Sequence, residues 1–249
     1  MNVFVRSCIR FVCGRLLPKV AYPVVRGPLR GAKFILGAFA GEGGGSSVYF
    51  NMIEGEQTAA FMDILHAGHV LLDIGANAGY YTVLGARLVG AKGRVVAVEP
   101  AIRNLVYLYK HTLLNKTKNV SIIPAACSDT VSIAVFSNGE NFATGHLENC
   151  HQGGNSIGRV SYLVPTVTID MIVQRLGAFP DAIKVDVEGA EYYVLKGAHV
   201  TLREARPCIF LSTHSAELRK NCLNYLTEIG YKIEILSSDK EDPTEFLAR

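Results

Sequence analysis

Short apolar segments alternate with helical segments from residue 56 onward, and this alternation is the strongest constraint on the fold of the chain. The predicted strands are VLLDI (70–74), RVVAVE (94–99), VSIIPAA (120–126), AIKVDV (182–187), CIFLST (208–213) and KIEIL (232–236). The predicted helices cover 56–65, 79–90, 101–115, 190–205 and 215–229. Apolar strands separated by helices form βαβ units, so the sequence predicts an α/β fold with a doubly wound, mostly parallel sheet.

Residues 131–169 interrupt this alternation. The segment SIAVFSN is predicted to be a strand of a hairpin, and the Gly- and Asn-rich stretch 138–158 is predicted to be a long loop. TVTIDMIVQRLG then resumes with a strand and a helix. Because long loops in compact domains often carry function, the whole segment is interpreted as an insertion that acts as a lid over a substrate.

The first part of the chain is predicted to be a basic extension, residues 1–55, in front of the main domain of residues 56–249. Residues 1–41 carry seven basic groups and no acid, whereas the remainder has 18 basic and 22 acidic residues, a charge of −4. The extension is expected to contain a helix packed on the domain, a short strand or hairpin at PLRGAKFILG and a Gly-rich loop at GEGGGSS. The alternative for its basic groups is peripheral contact with an anionic membrane.

Composition favours a cytoplasmic protein. Hydrophobic residues make up 49% of the chain, but no apolar run reaches the ~18 residues of a membrane-spanning helix. Basic residues interrupt the first nineteen positions, which disfavours a secretory signal. The six cysteines show no CxxC pairing, which is typical of free thiols in a reducing compartment. The predicted location is therefore the cytoplasm, with peripheral contact at the inner membrane face as the alternative.

The segment LLDIGANAGYYT (71–82) predicts a ligand site at the end of the first main strand. In doubly wound sheets, ligands bind beyond the carboxyl ends of the strands, at the turn into the following helix. Glu99 ends the second strand, 20 residues after Gly79, which is the spacing of an acid that binds ribose hydroxyls. A nucleoside-like ligand is therefore expected here.

The spacing of the glycines disfavours a dinucleotide. Counting from Gly75, the motif GxGxxG requires glycine at positions 77 and 80, where this chain has Asn77 and Tyr80. Asp73 would also repel a pyrophosphate. A ligand with a ribose, a positive charge and no phosphate fits better, and S-adenosylmethionine is such a ligand. The alternative is a Rossmann-like turn that binds no ligand.

Four motifs resemble the FkbM family of S-adenosylmethionine-dependent methyltransferases. They are DIGANAGYYT, AVEP (97–100), ACSD (126–129) and, most specifically, IKVDVEGAEYYVLKGA (183–198). The resemblance covers residues 50–235 and implies a Rossmann-like class I methyltransferase fold. Such a fold has a seven-stranded sheet with an antiparallel last strand, here TEFLAR (244–249). It also implies an acceptor hydroxyl on a sugar, a glycan or a secondary metabolite.

The resemblance also implies which residues bind the cofactor. The methionine end would lie against Asp73, Gly75, Asn77 and Gly79, and the ribose against Glu99. Ser128 and Asp129, which follow the third strand, would reach the adenine.

The candidate catalytic residues are Asp186, Glu188 and His214, at the ends of the fourth and fifth strands. Methyl transfer to a hydroxyl requires alignment of the acceptor and removal of a proton, and carboxylates or a neutral imidazole can remove it. The structural alternatives are an ion pair of Asp186 with Lys184 and a stabilising acid at the start of the next helix.

No metal site is predicted. The three candidate residues could hold a divalent ion, but family members commonly carry an acid two positions before the histidine, where this chain has Ser212. That departure weakens the metal alternative and any mechanism that needs a carboxylate there.

Two further functions stay open at this point, and a third is disfavoured. An N-methyltransferase needs less help from a base, and a binding protein with the same fold needs none. Nucleic-acid methylation is disfavoured because the basic extension lacks interleaved aromatic residues and the main domain is acidic. The sequence therefore predicts an O-methyltransferase with no nucleic-acid partner.

Overall fold

A computed structural model describes residues 17–39, 45–51, 53, 55–138, 145–147, 161–237, 239 and 241–249. Three expectations lie largely or wholly outside these residues. They are the helix at the start of the chain, the Gly-rich loop after residue 40 and most of the predicted loop 138–158.

A seven-stranded sheet forms the centre of the molecule. Its strands are β3 (Val70–Ile74), β4 (Arg94–Val98), β5 (Val120–Ile123), β10 (Ala182–Val185), β11 (Cys208–Ser212), β12 (Ile233–Ile235) and β13 (Glu245–Ala248). Their order is β12-β13-β11-β10-β3-β4-β5, and β13 runs antiparallel to both neighbours. The predicted doubly wound sheet and its antiparallel last strand are confirmed.

The sheet is buried because its strands are almost continuously apolar. Four of the five residues of β3 are buried, Val70 being the exception, and so are all four residues of β10. Parallel strands covered by helices on both faces require such sequences. The register places Asp73 of β3 beside Lys184 of β10, so two charged side chains meet near the end of an otherwise apolar strand pair.

Seven helices are described. They are α1 (Gly55–Ile64), α2 (Tyr80–Val89), α3 (Ile102–Leu114), α4 (Ile169–Leu176), α5 (Glu191–Lys196), α6 (His199–Glu204) and α7 (Ala216–Glu228). The single helix expected at 190–205 is divided into α5 and α6. The carbonyl of Gly197 accepts the N–H of Asp170 at 3.0 Å, so this carbonyl bonds to another part of the chain at the point where the helix is divided.

A second sheet follows the third central strand, in the order β6-β9-β7-β8. It consists of β6 (Ala126–Cys127), β7 (Ser132–Asn138), β8 (Gly145–Leu147) and β9 (Ser161–Val167). The expected strand 120–126 is split because Pro124 lacks a backbone N–H, and β6 then pairs with β9. One face of this sheet packs on Ala101 and Ala190 through Phe136 and Val164.

Residues 17–53 begin with a hairpin, as PLRGAKFILG suggested. Strands β1 (Ala21–Pro23) and β2 (Lys33–Ile35) pair antiparallel, and a 3₁₀ helix covers Ser46–Phe50. Phe34 and Leu36 of this region share one buried cluster with Leu71 of the central sheet.

Within the described ranges, no helix combines the length and the apolar composition that crossing a membrane would require.

Candidate active site

The carboxyl ends of β3 and β10 meet at the glycine turn, where there is no space for a side chain. A Cβ on Gly75 would lie 1.8 Å from the carbonyl oxygen of Asp186, and Gly75 has a φ of +81°. The next turn residue, Asn77, has a φ of 50°, and its Oδ1 accepts the N–H of Ala78 at 2.7 Å. Gly79 then precedes α2 with a φ of 93°. The glycines at 75 and 79 therefore shape the turn that the sequence singled out.

Glu99 is held at the end of β4 by backbone donors. Its Oε2 accepts the N–H of Asn77 at 2.7 Å, and its Oε1 accepts the N–H of Ala101 at 2.8 Å. Burial raises the pKa of Glu99 to about 7, although these hydrogen bonds oppose the increase. Oε1 also accepts Asn104 Nδ2 at 3.4 Å, whereas Oε2 has a second lone pair with which Glu99 can accept a hydrogen bond from a ligand.

A cavity beside Glu99 joins a polar end to an apolar wall. Its lining includes Gly75, Asn77, Glu99, Ala126, Phe136 and Leu147. A carboxylate facing apolar side chains suits a ribose attached to a planar base. The residues present therefore fit S-adenosylmethionine, whose adenine would contact the wall formed by the second sheet.

The two residues expected at the adenine are not among those that line this cavity. Asp129 carries a carboxylate 3.8 Å from the ammonium of Lys196, and the N–H of Ser128 donates to Val167. Their neighbours Ala126 and Cys127 line the cavity instead. The structure thus brings together the glycine turn and Glu99, but not Ser128 and Asp129.

Asp73 is fully buried one strand residue before the turn. Its Oδ2 accepts the hydroxyl of Thr82 at 2.5 Å, while its Oδ1 has no hydrogen-bond partner among the described residues. Burial raises its pKa, and the ammonium of Lys184 opposes that increase. An unpaired carboxylate oxygen of this kind is a suitable partner for a cationic ligand.

Asp186 links the fourth strand to the histidine of the fifth. Its Oδ2 pairs with Lys184 Nζ at 2.7 Å, and its Oδ1 lies 3.5 Å from His214 Nε2. Burial raises the pKa of Asp186, but the charges of Lys184 and His214 outweigh burial and lower it below its ordinary value. The predicted Lys184–Asp186 pair is therefore present, and Asp186 is ionised at neutral pH.

Glu188 has a strained backbone and faces the same histidine. Its φ is 55°, which is uncommon for a residue with a side chain, and its Oε2 lies 3.4 Å from His214 Nε2. Burial raises its pKa, partly offset by the charge of His214. Strain of this kind concentrates at functional sites.

Glu191 is a site residue that the sequence suggested only as a helix-start acid. It is fully buried, its Oε1 lies 2.7 Å from His214 Nδ1, and the N–H of Gly189 donates to the same oxygen. The bond fixes the imidazole so that Nε2 faces the other two carboxylates. The only sequence signal was its place in the VEGAE motif.

The carboxylates determine the charge of His214. Burial alone would lower its pKa, but the hydrogen bond with Glu191 and the charges of Asp186 and Glu188 raise the pKa to about 9. The sequence interpretation offered a neutral imidazole as one of the possible proton acceptors. Instead, an imidazolium is favoured at neutral pH, so the site contains a hydrogen-bond donor at this position.

A second cavity lies on the other side of Asp186 and Glu188. It is lined by hydroxyl and charged side chains, among them Ser212, Thr213, His214, Arg219, Asp242 and Thr244. Asn77, Asp186 and Glu188 border both this cavity and the one beside Glu99. Two ligands bound in these cavities would meet at those three residues.

The same groups satisfy the spacing of a cation site. Asp186, Glu188 and His214 each offer a ligand atom, and these atoms lie within 4.8 Å of one another. The imidazolium offsets one of the two negative charges without a metal. A divalent ion is thus the alternative arrangement of these three side chains.

A family model described as the methyltransferase FkbM domain matches residues 73–233, which is more than half of the chain. The chain belongs to the FkbM methyltransferase family. The match begins at Asp73 and includes the strand ends that carry Glu99, Asp186 and His214. The region that identifies the family therefore contains the residues of the candidate active site.

Solved structures show the class I methyltransferase fold. An FkbM methyltransferase from Methylobacillus flagellatus KT has 18% identity and a TM-score of 0.53, with 82% of this chain and 53% of that chain covered. The chain thus spans about half the length of that protein. Precorrin-6y C5,15-methyltransferase from Geobacter metallireducens GS-15 has 13% identity and a TM-score of 0.50, with 77% and 86% covered. No curated protein matches this chain.

Proposed function

We propose that the chain is an S-adenosylmethionine-dependent O-methyltransferase that acts on a hydroxyl of a sugar, a glycan or a similar small metabolite. The observation that carries the proposal is the pair of cavities meeting at Asn77, Asp186 and Glu188. One cavity fits a nucleoside, and the other is rich in the hydroxyl and charged groups that bind polyols.

The cofactor would supply an activated methyl group on its sulfonium. Glu99 would bind the ribose hydroxyls, and the wall at Ala126, Phe136 and Leu147 would exclude water from the base. The unpaired oxygen of Asp73 would favour the cationic end. These contacts would hold the cofactor for attack by an acceptor in the second cavity, because alignment of the two reactants is the main task of the protein in methyl transfer.

Glu188 is the proposed proton acceptor. Asp186 is tied to Lys184 and has a lowered pKa, which makes it a weak base. His214 is protonated at neutral pH and cannot accept a proton there. The pKa of Glu188 is raised above its ordinary value and 40% of its side chain is exposed, so it can reach an acceptor hydroxyl. His214, whose Nε2 lies 3.4 Å from Glu188 Oε2, then holds that carboxylate in position, and Asp186 can accept a hydrogen bond from the acceptor.

Replacing Glu188 with Gln tests this role. We expect turnover to fall by about 10²–10⁴-fold, as is usual for loss of a general base, while cofactor affinity stays within about threefold. Glu217→Gln on the exposed side of α7 is the matched control and should change neither quantity. Turnover within about twofold of the wild type in Glu188→Gln would remove Glu188 from the mechanism.

An N-methyltransferase is the second candidate, favoured by the acidic lining of the second cavity. Asp186, Glu188, Asp242 and Glu245 outnumber Arg219 and His214 there, so the cavity would attract an ammonium-bearing acceptor. An amine needs less help from a base. Activity on amines that persists in both Glu188→Gln and Asp186→Asn would favour this candidate over a hydroxyl acceptor.

The cofactor is tested first, by calorimetric titration with S-adenosylmethionine, S-adenosylhomocysteine and NAD. Micromolar affinity for the first two and none for NAD would support the proposal. Failure to bind either adenosyl ligand would favour a binding protein that has lost catalysis. The free thiols Cys127, Cys208 and Cys222 support the cytoplasm as the proposed location.

A further inference from the structure

Helix α3 (Ile102–Leu114) exposes a row of apolar residues to solvent, which is unusual for a helix on the surface of a protein. Its buried residues are Asn104, Leu108, His111 and Thr112, three of which are polar. Its outward residues Ile102, Val106, Tyr109 and Leu113 are 59%, 47%, 58% and 60% exposed. Surface helices normally bury the apolar stripe and expose the polar one, so this reversal requires an explanation.

The buried polar residues have structural partners. Asn104 Nδ2 donates to Glu99 at 3.4 Å, and His111 bonds through Nδ1 to the carbonyl of Ala78 and accepts the N–H of Ile35 through Nε2. These contacts explain the inner face of the helix. They do not explain the apolar outer face, which none of these bonds requires.

The outer residues form one continuous stripe. Positions 102, 106, 109 and 113 are separated by four, three and four residues, which places them within about 60° of the helix circumference. Leu114, 38% exposed, lies at the carboxyl end of the same helix. A contiguous exposed apolar stripe of this kind marks a contact surface rather than scattered surface apolar residues.

The charged residues of α3 and of the segment that follows it, up to residue 128, are all positive. No acid occurs between residues 100 and 128, whereas Lys110, Lys116 and Lys118 are exposed there. Lys33 adds a fourth, because its N–H donates to Asn115 Oδ1 at 2.8 Å and places this exposed lysine beside the end of α3. Among the described residues, none of these four lysines forms an ion pair. Their charge is therefore available to an anionic partner.

We propose that α3 and these lysines form a docking surface for an anionic lipid bilayer. An apolar stripe flanked by lysines is the arrangement of a helix that lies in the membrane interface, with its apolar side buried about 5–10 Å into the headgroup boundary. A symmetric contact between two copies would bring the lysines of both together, which costs free energy. Nucleic acid would gain little from exposed Ile102, Val106 and Leu113.

The test is sedimentation of the full chain with vesicles. Vesicles of equal parts phosphatidylcholine and phosphatidylglycerol should retain the protein, vesicles of phosphatidylcholine alone should not, and about 1 M salt should release much of it. Val106→Glu combined with Leu113→Glu should weaken binding at least tenfold. Lys110→Gln and Lys116→Gln should each weaken it about fivefold.

The matched control is Phe179→Glu combined with Val200→Glu. These residues are 51% and 49% exposed on another part of the surface, and the pair changes the net charge by the same amount. Binding should change less than twofold. Far-UV circular dichroism checks that each variant is folded, and the variants of the exposed lysines serve if the glutamate pair unfolds.

Several results would overturn the proposal. They are absence of binding to the anionic vesicles, equal binding to both vesicle types, or an equal loss in the control pair. A dimer in solution that Val106→Glu dissociates, without vesicle binding, would assign the stripe to a second copy. Binding lost on Arg6→Gln with Arg10→Gln, but unaffected by the α3 variants, would assign it to the amino-terminal segment.

Discussion

Glu99 is a buried carboxyl group that is nevertheless expected to accept hydrogen bonds in its ionised form. Its pKa is raised from the ordinary value of 4.5 to about 7 by burial. The two hydroxyls of a ribose can donate hydrogen bonds only to lone pairs of the Glu99 carboxylate that do not already carry a proton. Binding of the cofactor should therefore compete with protonation of Glu99.

We expect cofactor affinity to rise as pH increases through about 7, because the ionised fraction of Glu99 increases there. Below that pH, affinity should fall by about tenfold for each pH unit. Calorimetric titrations at a series of pH values measure the effect. Glu99→Gln should bind weakly at every pH with a flat profile, and a wild-type profile that is equally flat would contradict the role in ribose binding.

His214 should make the folded state lose stability at high pH. Its pKa is raised from the ordinary value of 6.5 to about 9, so its contribution is complete below 6.5 and is lost as pH rises through 9. The contribution is at most about 3 kcal/mol, less after solvent screening, since 30% of the side chain is exposed.

Chemical denaturation at pH values below 6.5 and above 9 tests this linkage. At the lower pH, His214→Gln should be clearly less stable than the wild type, and at the higher pH the difference should shrink toward zero. His66→Gln, at an exposed position outside the site, is the control for the effect of replacing a histidine with glutamine. A constant difference between wild type and His214→Gln would mean that the carboxylates do not hold the proton.

The sequence could identify Asp186, Glu188 and His214 because they end two strands of a recognisable sheet. It could not show that His214 is charged, since that depends on Glu191, which lies 23 residues away and approaches to 2.7 Å only in the fold. The sequence likewise could not show that the carboxylate of Asp129, for which the FkbM resemblance implied adenine contact, lies 3.8 Å from Lys196 Nζ.

At the level of elements, the glycine turn holds β3 and β10 at close range. The Cβ of Gly75→Ala would meet the Asp186 carbonyl, a backbone atom that cannot move aside as a flexible side chain can. We expect a loss of about 2 kcal/mol or more in the free energy of unfolding, and at least tenfold weaker cofactor binding.

Gly31→Ala is the matched control for this substitution. Gly31 has a φ of +79°, close to the +81° of Gly75, but a Cβ there meets nothing within 4 Å. It therefore carries the same backbone strain without the contact. Equal losses of stability in the two variants, measured by urea denaturation, would show that the close approach to Asp186 is unimportant.

The positions of strands and helices could be predicted from the sequence wherever the local pattern of apolar residues determined them. The apolar run VLLDI became Val70–Ile74 without a change of bounds. The rule failed where tertiary contacts decided, as when Gly197 accepted the N–H of Asp170 and divided a predicted helix. In the second sheet, the strand SIAVFSN was predicted and is β7, but β6 was missed because it has two residues and exists through its pairing with β9.

In the whole molecule, the amino-terminal extension contributes to the body of the protein. Phe34 is fully buried, packs edge-on against the ring of His111 and shares a cluster with Leu71 of the central sheet. Phe39 and Ile53 border a cleft that also includes Asp73 and Lys184. The extension thus forms part of the wall near the candidate active site.

This packing predicts that the extension and the methyltransferase domain unfold together. Phe34→Ala should lower the free energy of unfolding by about 3–5 kcal/mol, as for other buried aromatic residues, and should shift a single transition. Val25→Ala, at a position 49% exposed in the same extension, should change it by less than about 0.5 kcal/mol. The measurement is urea denaturation followed by circular dichroism and by tyrosine fluorescence. Two separate transitions, with only the first moved by Phe34→Ala, would show that the extension folds independently and that its contact with Leu71 adds little to the domain.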